Sequence, residues 1–86
     1  MTEVYFVYAI KSLVDNRMYV GMSSNVEKRI EEHNAGKTRS TKAYVPWQLI
    51  YQEKVGFRSD ARIREKYLKS GVGKEFLKSV RDGDFK

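Results

Sequence analysis

VYFVYAI, residues Val4 to Ile10, is apolar on both of its alternating faces. A strand at a sheet's edge or on its surface keeps one polar face, whereas a strand covered on both sides does not. The run therefore predicts a central strand. Asp15-Asn16 then signals a turn, and Arg17 to Ser23 reads as the returning arm of a hairpin. With an even number of residues in the connecting loop, cross-strand pairing sets Tyr8 and Tyr19 on the same face. Two phenols then share one surface, the second of them followed by Val20-Gly21.

Ser24-Asn25-Val26-Glu27 has the spacing of a capping box, which predicts a helix from about Asn25 to Ala35, closed by Gly36. At 100° per residue Val26 and Ile30 form its apolar stripe. Arg29 and His33 lie one turn apart on the border of that stripe, and Glu27, Lys28 and Glu31 face away. Gly36 to Pro46 reads as a basic loop, and Trp47 to Val55 as a third strand with apolar positions at Trp47, Leu49 and Tyr51. Ser59 is placed to cap a second helix reaching about Ser70 and stopped by Gly71. A short C-terminal helix follows after Gly73, around Lys74 to Val80. In the second helix Ala61, Tyr67 and Leu68 are expected inside, with Glu65 on their border and Arg62, Lys66 and Lys69 toward solvent. The expected fold class is α/β (α+β): a three-stranded antiparallel sheet, N-terminal strand central, flanked by helices.

A chain of 86 residues suffices for one domain, 1-86, and not for two with separate cores. There is no internal repeat, low-complexity tract or linker. With no cysteine, neither a disulfide framework nor a thiolate metal site is available. Lys11 interrupts the N-terminal apolar run well short of a membrane span, and no basic leader precedes it, so a cytoplasmic protein without membrane association is expected.

Charge is the strongest compositional signal. Seventeen Lys and Arg against 11 Asp and Glu give a net charge of +6, a field that attracts polyanions, nucleic acid first. Lys37, Arg39 and Lys42 run without an acid between them, and Arg58, Arg62, Arg64, Lys66 and Lys69 outnumber Asp60 and Glu65. Lys37, Arg39, Lys42 and Arg62 are the expected nucleic-acid contacts.

Tyr8, then Tyr19-Val20-Gly21, then Arg29 and His33 on the following helix, then Glu65 on a later one, resembles the GIY-YIG nuclease domain found in the excinuclease C subunit and in homing endonucleases. Phe6-Val7-Tyr8 stands at the first signature tripeptide and Tyr19-Val20-Gly21 at the second. RIEEHNAGK, Arg29 to Lys37, and SDARIREKYLK, Ser59 to Lys69, look like the small single-domain bacterial members. The sequence departs from the family at Phe6, which replaces a glycine, and in having no asparagine after Glu65. The resemblance covers nearly the whole chain. It implies a metal-dependent endonuclease acting on DNA, RNA not being excluded as a partner, with a place in DNA repair or recombination. With no appended DNA-binding domain, little sequence specificity is expected.

It also implies a catalytic set of Tyr8, Tyr19, Arg29, His33 and Glu65. Glu65 would hold one hard divalent cation, Mg2+ or Mn2+, whose remaining positions are filled by water. Arg29 suits a phosphate through its planar fork. A phenol titrates near 10, so either tyrosine needs help to act as general base, and His33 is the natural relay or the alternative base. The competing expectation is a non-catalytic basic nucleic-acid-binding module, with Tyr44, Trp47 or Tyr51 stacking a base.

Overall fold

The computed structural model describes residues 3–83. Three antiparallel strands, β1 (Tyr5–Ser12), β2 (Met18–Ser23) and β3 (Trp47–Gly56), form one sheet in the order β2-β1-β3. The apolar N-terminal run is thus the middle strand, as its two-sided hydrophobicity requires. Helix α1 (Val26–Asn34) follows β2, a single 3-10 turn occupies Lys42–Tyr44 before β3, and α2 (Arg58–Leu68) and α3 (Gly71–Asp82) follow β3.

The two faces of β1 feed two separate cores. Val7 and Ala9 meet Val20, Ala61, Leu68 and Leu77, so α2 and α3 cover that face. Tyr8 and Ile10 meet Val26 and Trp47, with Phe6, Tyr19 and Ile30 packed around them, so α1 covers the other. Phe6 therefore fills space beneath α1. The hairpin pairs Tyr8 with Gly21 and Ile10 with Tyr19, and this register puts both phenols on the α1 face. Asn16 makes the turn with φ of 67°, a left-handed conformation that asparagine tolerates better than most residues.

Several local expectations need correction. The cap of α1 is Asn25, whose side chain accepts from the Lys28 amide, while Ser23 Oγ accepts from the Asn25 amide. The Asn25 cap thus displaces the expected capping box by one residue. Strand β3 changes face midway. Ala9 pairs with Tyr51 and Ile10 with Leu49, so Ile50 is the extra residue of a bulge. Trp47 and Leu49 consequently face α1, whereas Tyr51 packs in the opposite core. Ser59 caps nothing, because α2 begins at Arg58 with Phe57 at its cap position. Tyr67 is 43% exposed, since the inward stripe of α2 is the narrower Ala61–Leu68 line. Finally, Gly71 and Gly73 lie within α3. Ser70 caps that helix, its side chain accepting from the Gly73 amide. Glycine is read as a stop because it is costly inside a helix, and here close packing outweighs that cost.

Candidate active site

Tyr8 projects from the central strand across β2. A Cβ on Gly21 would lie 2.6 Å from the Tyr8 hydroxyl oxygen and 2.8 Å from Cζ. The glycine of Tyr19-Val20-Gly21 is thus the residue opposite Tyr8, and its missing side chain is the slot for the phenol. Only 1% of Tyr8 is exposed. Its Oη lies 2.8 Å from His33 Nε2, and the ring of Tyr19 meets the same imidazole edge-on at 5.0 Å. Spacing alone places His33 on the border of the α1 stripe, yet it is fully buried. It is held there because both ring nitrogens are bonded: Nδ1 lies 2.9 Å from Thr41 Oγ1.

The end of α1 is fixed to the sheet beside this imidazole. Asn34 Oδ1 accepts from the Trp47 amide at 2.6 Å, and its Nδ2 donates to the Trp47 carbonyl at 3.1 Å. Trp47 Nε1 in turn donates to the Thr41 carbonyl at 2.9 Å. Strand, helix and basic loop therefore meet around His33.

Arg29 lies one turn back, half-buried, with its Nη1 2.9 Å from Glu32 Oε1. Glu65 comes from the opposite layer. The Tyr8 face is already filled by α1 and Trp47, so the Ala61–Leu68 stripe of α2 can bury itself only against Val7 and Ala9. Of the five residues expected to form one set, Glu65 is thus the one carried by the layer that covers Val7 and Ala9. Even so, α2 packs against both β1 and β2, and the Glu65 carboxylate is near enough to act on the Tyr8 phenol. Its side chain is 14% exposed and pairs with Lys69 Nζ at 3.5 Å.

The electrostatics sort these groups. Burial pushes the Tyr8 phenol up to about 12, the nearby Tyr19 and Glu65 add to the rise, and Arg29 works against it. Tyr8 is therefore a hydroxyl donor at neutral pH. Burial, then the charge of Arg29, holds His33 below its ordinary value, with Glu32 partly opposing. The imidazole is neutral, with one nitrogen able to accept. His33 is the sole histidine of the chain, so its proton NMR titration is unambiguous and is expected to show a midpoint below 6.5. The sign for stability follows. The unfolded chain binds this proton at higher pH than the folded one, so the stability that His33 contributes is complete above about 6.5 and is lost as pH falls toward the folded midpoint. A midpoint at or above the ordinary value would mean that the ring is not held neutral by burial.

Lys37, Arg39 and Lys42 are exposed in the connection from α1 to β3, and Arg62 is exposed on α2. Among the described residues none of these four is in an ion pair. The three aromatic residues expected to stack bases are otherwise engaged. Trp47 is buried, Arg17 lies 3.5 Å over the ring of Tyr44, and Tyr51 packs edge-on against Phe76 while donating to Glu53. Sequence reading missed Glu32, Asn34 and Thr41. Only Glu32 had a signal, its position three residues beyond Arg29 on one helix.

Among the described residues no cluster of three or more His, Asp or Glu side chains could hold a metal ion. One carboxylate is nonetheless a fitting donor for a hard cation that keeps most of its water. Glu65 offers that oxygen pair, and its partner Lys69 is 52% exposed and can turn to solvent.

Residues 4–78 match the family model described as the GIY-YIG catalytic domain. The chain is 39% identical over 79 residues to a UPF0213 protein of Staphylococcus haemolyticus, covering 91% of this chain and 95% of that one. It is 35% identical over 82 residues to a UPF0213 protein of Staphylococcus saprophyticus, with coverage of 94% and 99%. A UPF0213 protein of Haloquadratum walsbyi is 37% identical over 71 residues, with coverage of 81% and 79%. No solved structure matches the chain. Among the described residues no helix is long and apolar enough to cross a membrane.

Proposed function

Because the chain belongs to the GIY-YIG family, we propose that it is a divalent-metal-dependent endonuclease that hydrolyses phosphodiester bonds in DNA with little sequence preference, serving repair or recombination. The observation that carries this reading is the 2.8 Å bond between Tyr8 and His33, with the charges of Arg29 and Glu65 both felt at the same phenol. A purely binding surface has no use for a partly exposed carboxylate beside a phosphate site, because the two repel.

In this reading Glu65 would hold Mg2+ or Mn2+, which when bound supplies Lewis-acid stabilisation of a phosphoryl oxygen and a more acidic water. Arg29 binds the scissile phosphate through its guanidinium, and Glu32 aims that group along the helix. With the site opened by the substrate to admit one water beside the nearly buried Tyr8, the proton of that water would pass to Tyr8 Oη while Tyr8 gives its own hydrogen to His33 Nε2. The oxygen freed of that proton forms the new bond to phosphorus, the bond to the leaving oxygen breaks with its electron pair, that oxygen takes up a proton from solvent, and His33 ends as imidazolium. Tyr8 remains a neutral phenol throughout, which suits a group whose ionisation is pushed up to about 12. The arriving phosphate offsets the positive field of Arg29 that disfavours the imidazolium. The ring of Tyr19 supports the imidazole from its edge.

The direct test is incubation with supercoiled and with single-stranded DNA in magnesium or manganese. Nicking that chelation abolishes supports the reading, and binding without nicking in either metal rejects it. Binding should be largely electrostatic. Replacing Lys37, Arg39 and Lys42 together by alanine is expected to weaken DNA affinity at low salt and to flatten the log-log salt dependence by roughly one unit for each phosphate no longer neutralised. Unchanged affinity in a salt titration would remove the loop from the interface.

A further inference from the structure

We infer that Thr41 is a positioning residue that, together with Tyr8, holds His33 as its Nδ1–H tautomer, so that Nε2 presents its lone pair to Tyr8. The role given to the pair rests on the proposed function; the tautomer does not.

Thr41 is 1% exposed although it sits in the basic loop. Its hydroxyl has one hydrogen to give. That hydrogen can go to the Thr38 carbonyl, 3.3 Å away, which also accepts from the Thr41 and Lys42 amides. Oγ1 is then left to accept from His33 Nδ1 at 2.9 Å. The other end of the chain decides the direction. Among the described residues His33 Nε2 is the one hydrogen-bonding acceptor for the Tyr8 hydroxyl, and the neighbouring guanidinium of Arg29 is only a donor. Were the imidazole to carry its proton on Nε2, the buried Tyr8 hydrogen would lose its acceptor, a costly state for a group shut away from water. Both ends therefore agree: Tyr8 donates to His33, His33 to Thr41, and Thr41 to Thr38.

The acceptor that orients the imidazole comes from the segment that also carries Lys37, Arg39 and Lys42.

Long-range proton–nitrogen NMR of the uniformly 15N-labelled full chain reads the tautomer of its single histidine near neutral pH. The expected spectrum shows a protonated Nδ1 and a bare Nε2. Thr41→Val leaves Nδ1–H without its acceptor and should shift and broaden the His33 nitrogen signals as the ring loses one of its two anchors, and Thr41→Ser should return the parent spectrum. Nicking by Thr41→Val should fall about 10- to 100-fold, the usual loss when the outer partner of a functional histidine is removed, with metal-free DNA affinity unchanged and Thr41→Ser restoring turnover. An Nε2–H parent spectrum, or a Thr41→Val protein whose His33 nitrogen signals match the parent's, overturns the inference. If Thr41→Val does not fold, Thr41→Ala gives the same reading. If the tautomers behave as expected while the parent never nicks DNA, the hydroxyl's control of the imidazole stands and the nuclease reading falls. Nicking by a parent with the other tautomer has the opposite meaning.

Discussion

Glu65→Ala protein is expected to lose divalent-dependent nicking and to bind DNA without metal as tightly as the parent, or more tightly. The charge of Glu65 reaches Tyr8, and removing that carboxylate takes away the ligand proposed for the ion. A bound metal supplies several kcal/mol of transition-state stabilisation, so the loss in rate should reach about a thousandfold or more. Binding moves the other way because a negative charge beside the phosphate has gone. Folding should survive. The pair with half-exposed Lys69 is worth about 0–1 kcal/mol, and alanine favours a helix. Circular dichroism must match the parent before activity is compared. Arg29→Ala provides the contrast, since its charge serves bound and transition states alike and both affinity and turnover should fall. Folded Glu65→Ala protein that nicks at the parent rate would mean that the ion is held elsewhere or that the cutting belongs to a contaminant.

Gly73→Ala is expected to be the most damaging single substitution for stability among the glycines. A Cβ there would run into the Tyr67 carbonyl oxygen and would lie 2.5 Å from Leu68 Cα and 2.9 Å from Leu68 C. These are backbone atoms of the end of α2, and they cannot step aside as a flexible side chain can. Relief requires α3 to lift away from α2, which loosens Leu68 and Leu77, both fully buried. Overpacking against side chains costs about 1–3 kcal/mol, and a clash with backbone belongs at or beyond the upper end, about 3 kcal/mol. In a domain of this size that lowers the melting temperature by roughly 12 °C or more. Gly71→Ala is the control, because nothing lies within 4 Å of its Cβ position and the residue is exposed. Thermal melts showing equal losses at the two positions would refute the close-approach argument.

The contrast between these glycines shows where sequence reading reaches its limit. A two-sided apolar run can be recognised in one dimension, so the central place of β1 is legible from Val4 to Ile10, and helical spacing suffices for the stripe of Val26 and Ile30. Gly73 reads as part of the break before the last helix, because the atoms that demand a glycine there belong to another helix. The bulge at Ile50 leaves no mark in the residue pattern, and so simple alternation assigns Tyr51 to the wrong face. Arg29 and His33 can be placed together because one helix carries both. Thr41 cannot be joined to them, since its burial depends on how the loop folds back beneath Trp47. Glu65 is visible as a border residue, but its layer is decided by which face of the sheet remains uncovered after α1 has docked.

That division of the site between layers bears on when the protein can act during its own synthesis. A chain emerging from the ribosome exposes both tyrosines, Arg29 and His33 well before Glu65, and α2 is secured only once Leu77 of α3 has arrived to complete the core around Leu68. Until then the carboxylate has no fixed position relative to Tyr8. A nascent or proteolytically clipped chain without the last helix therefore lacks the fixed carboxylate on which the proposed chemistry depends.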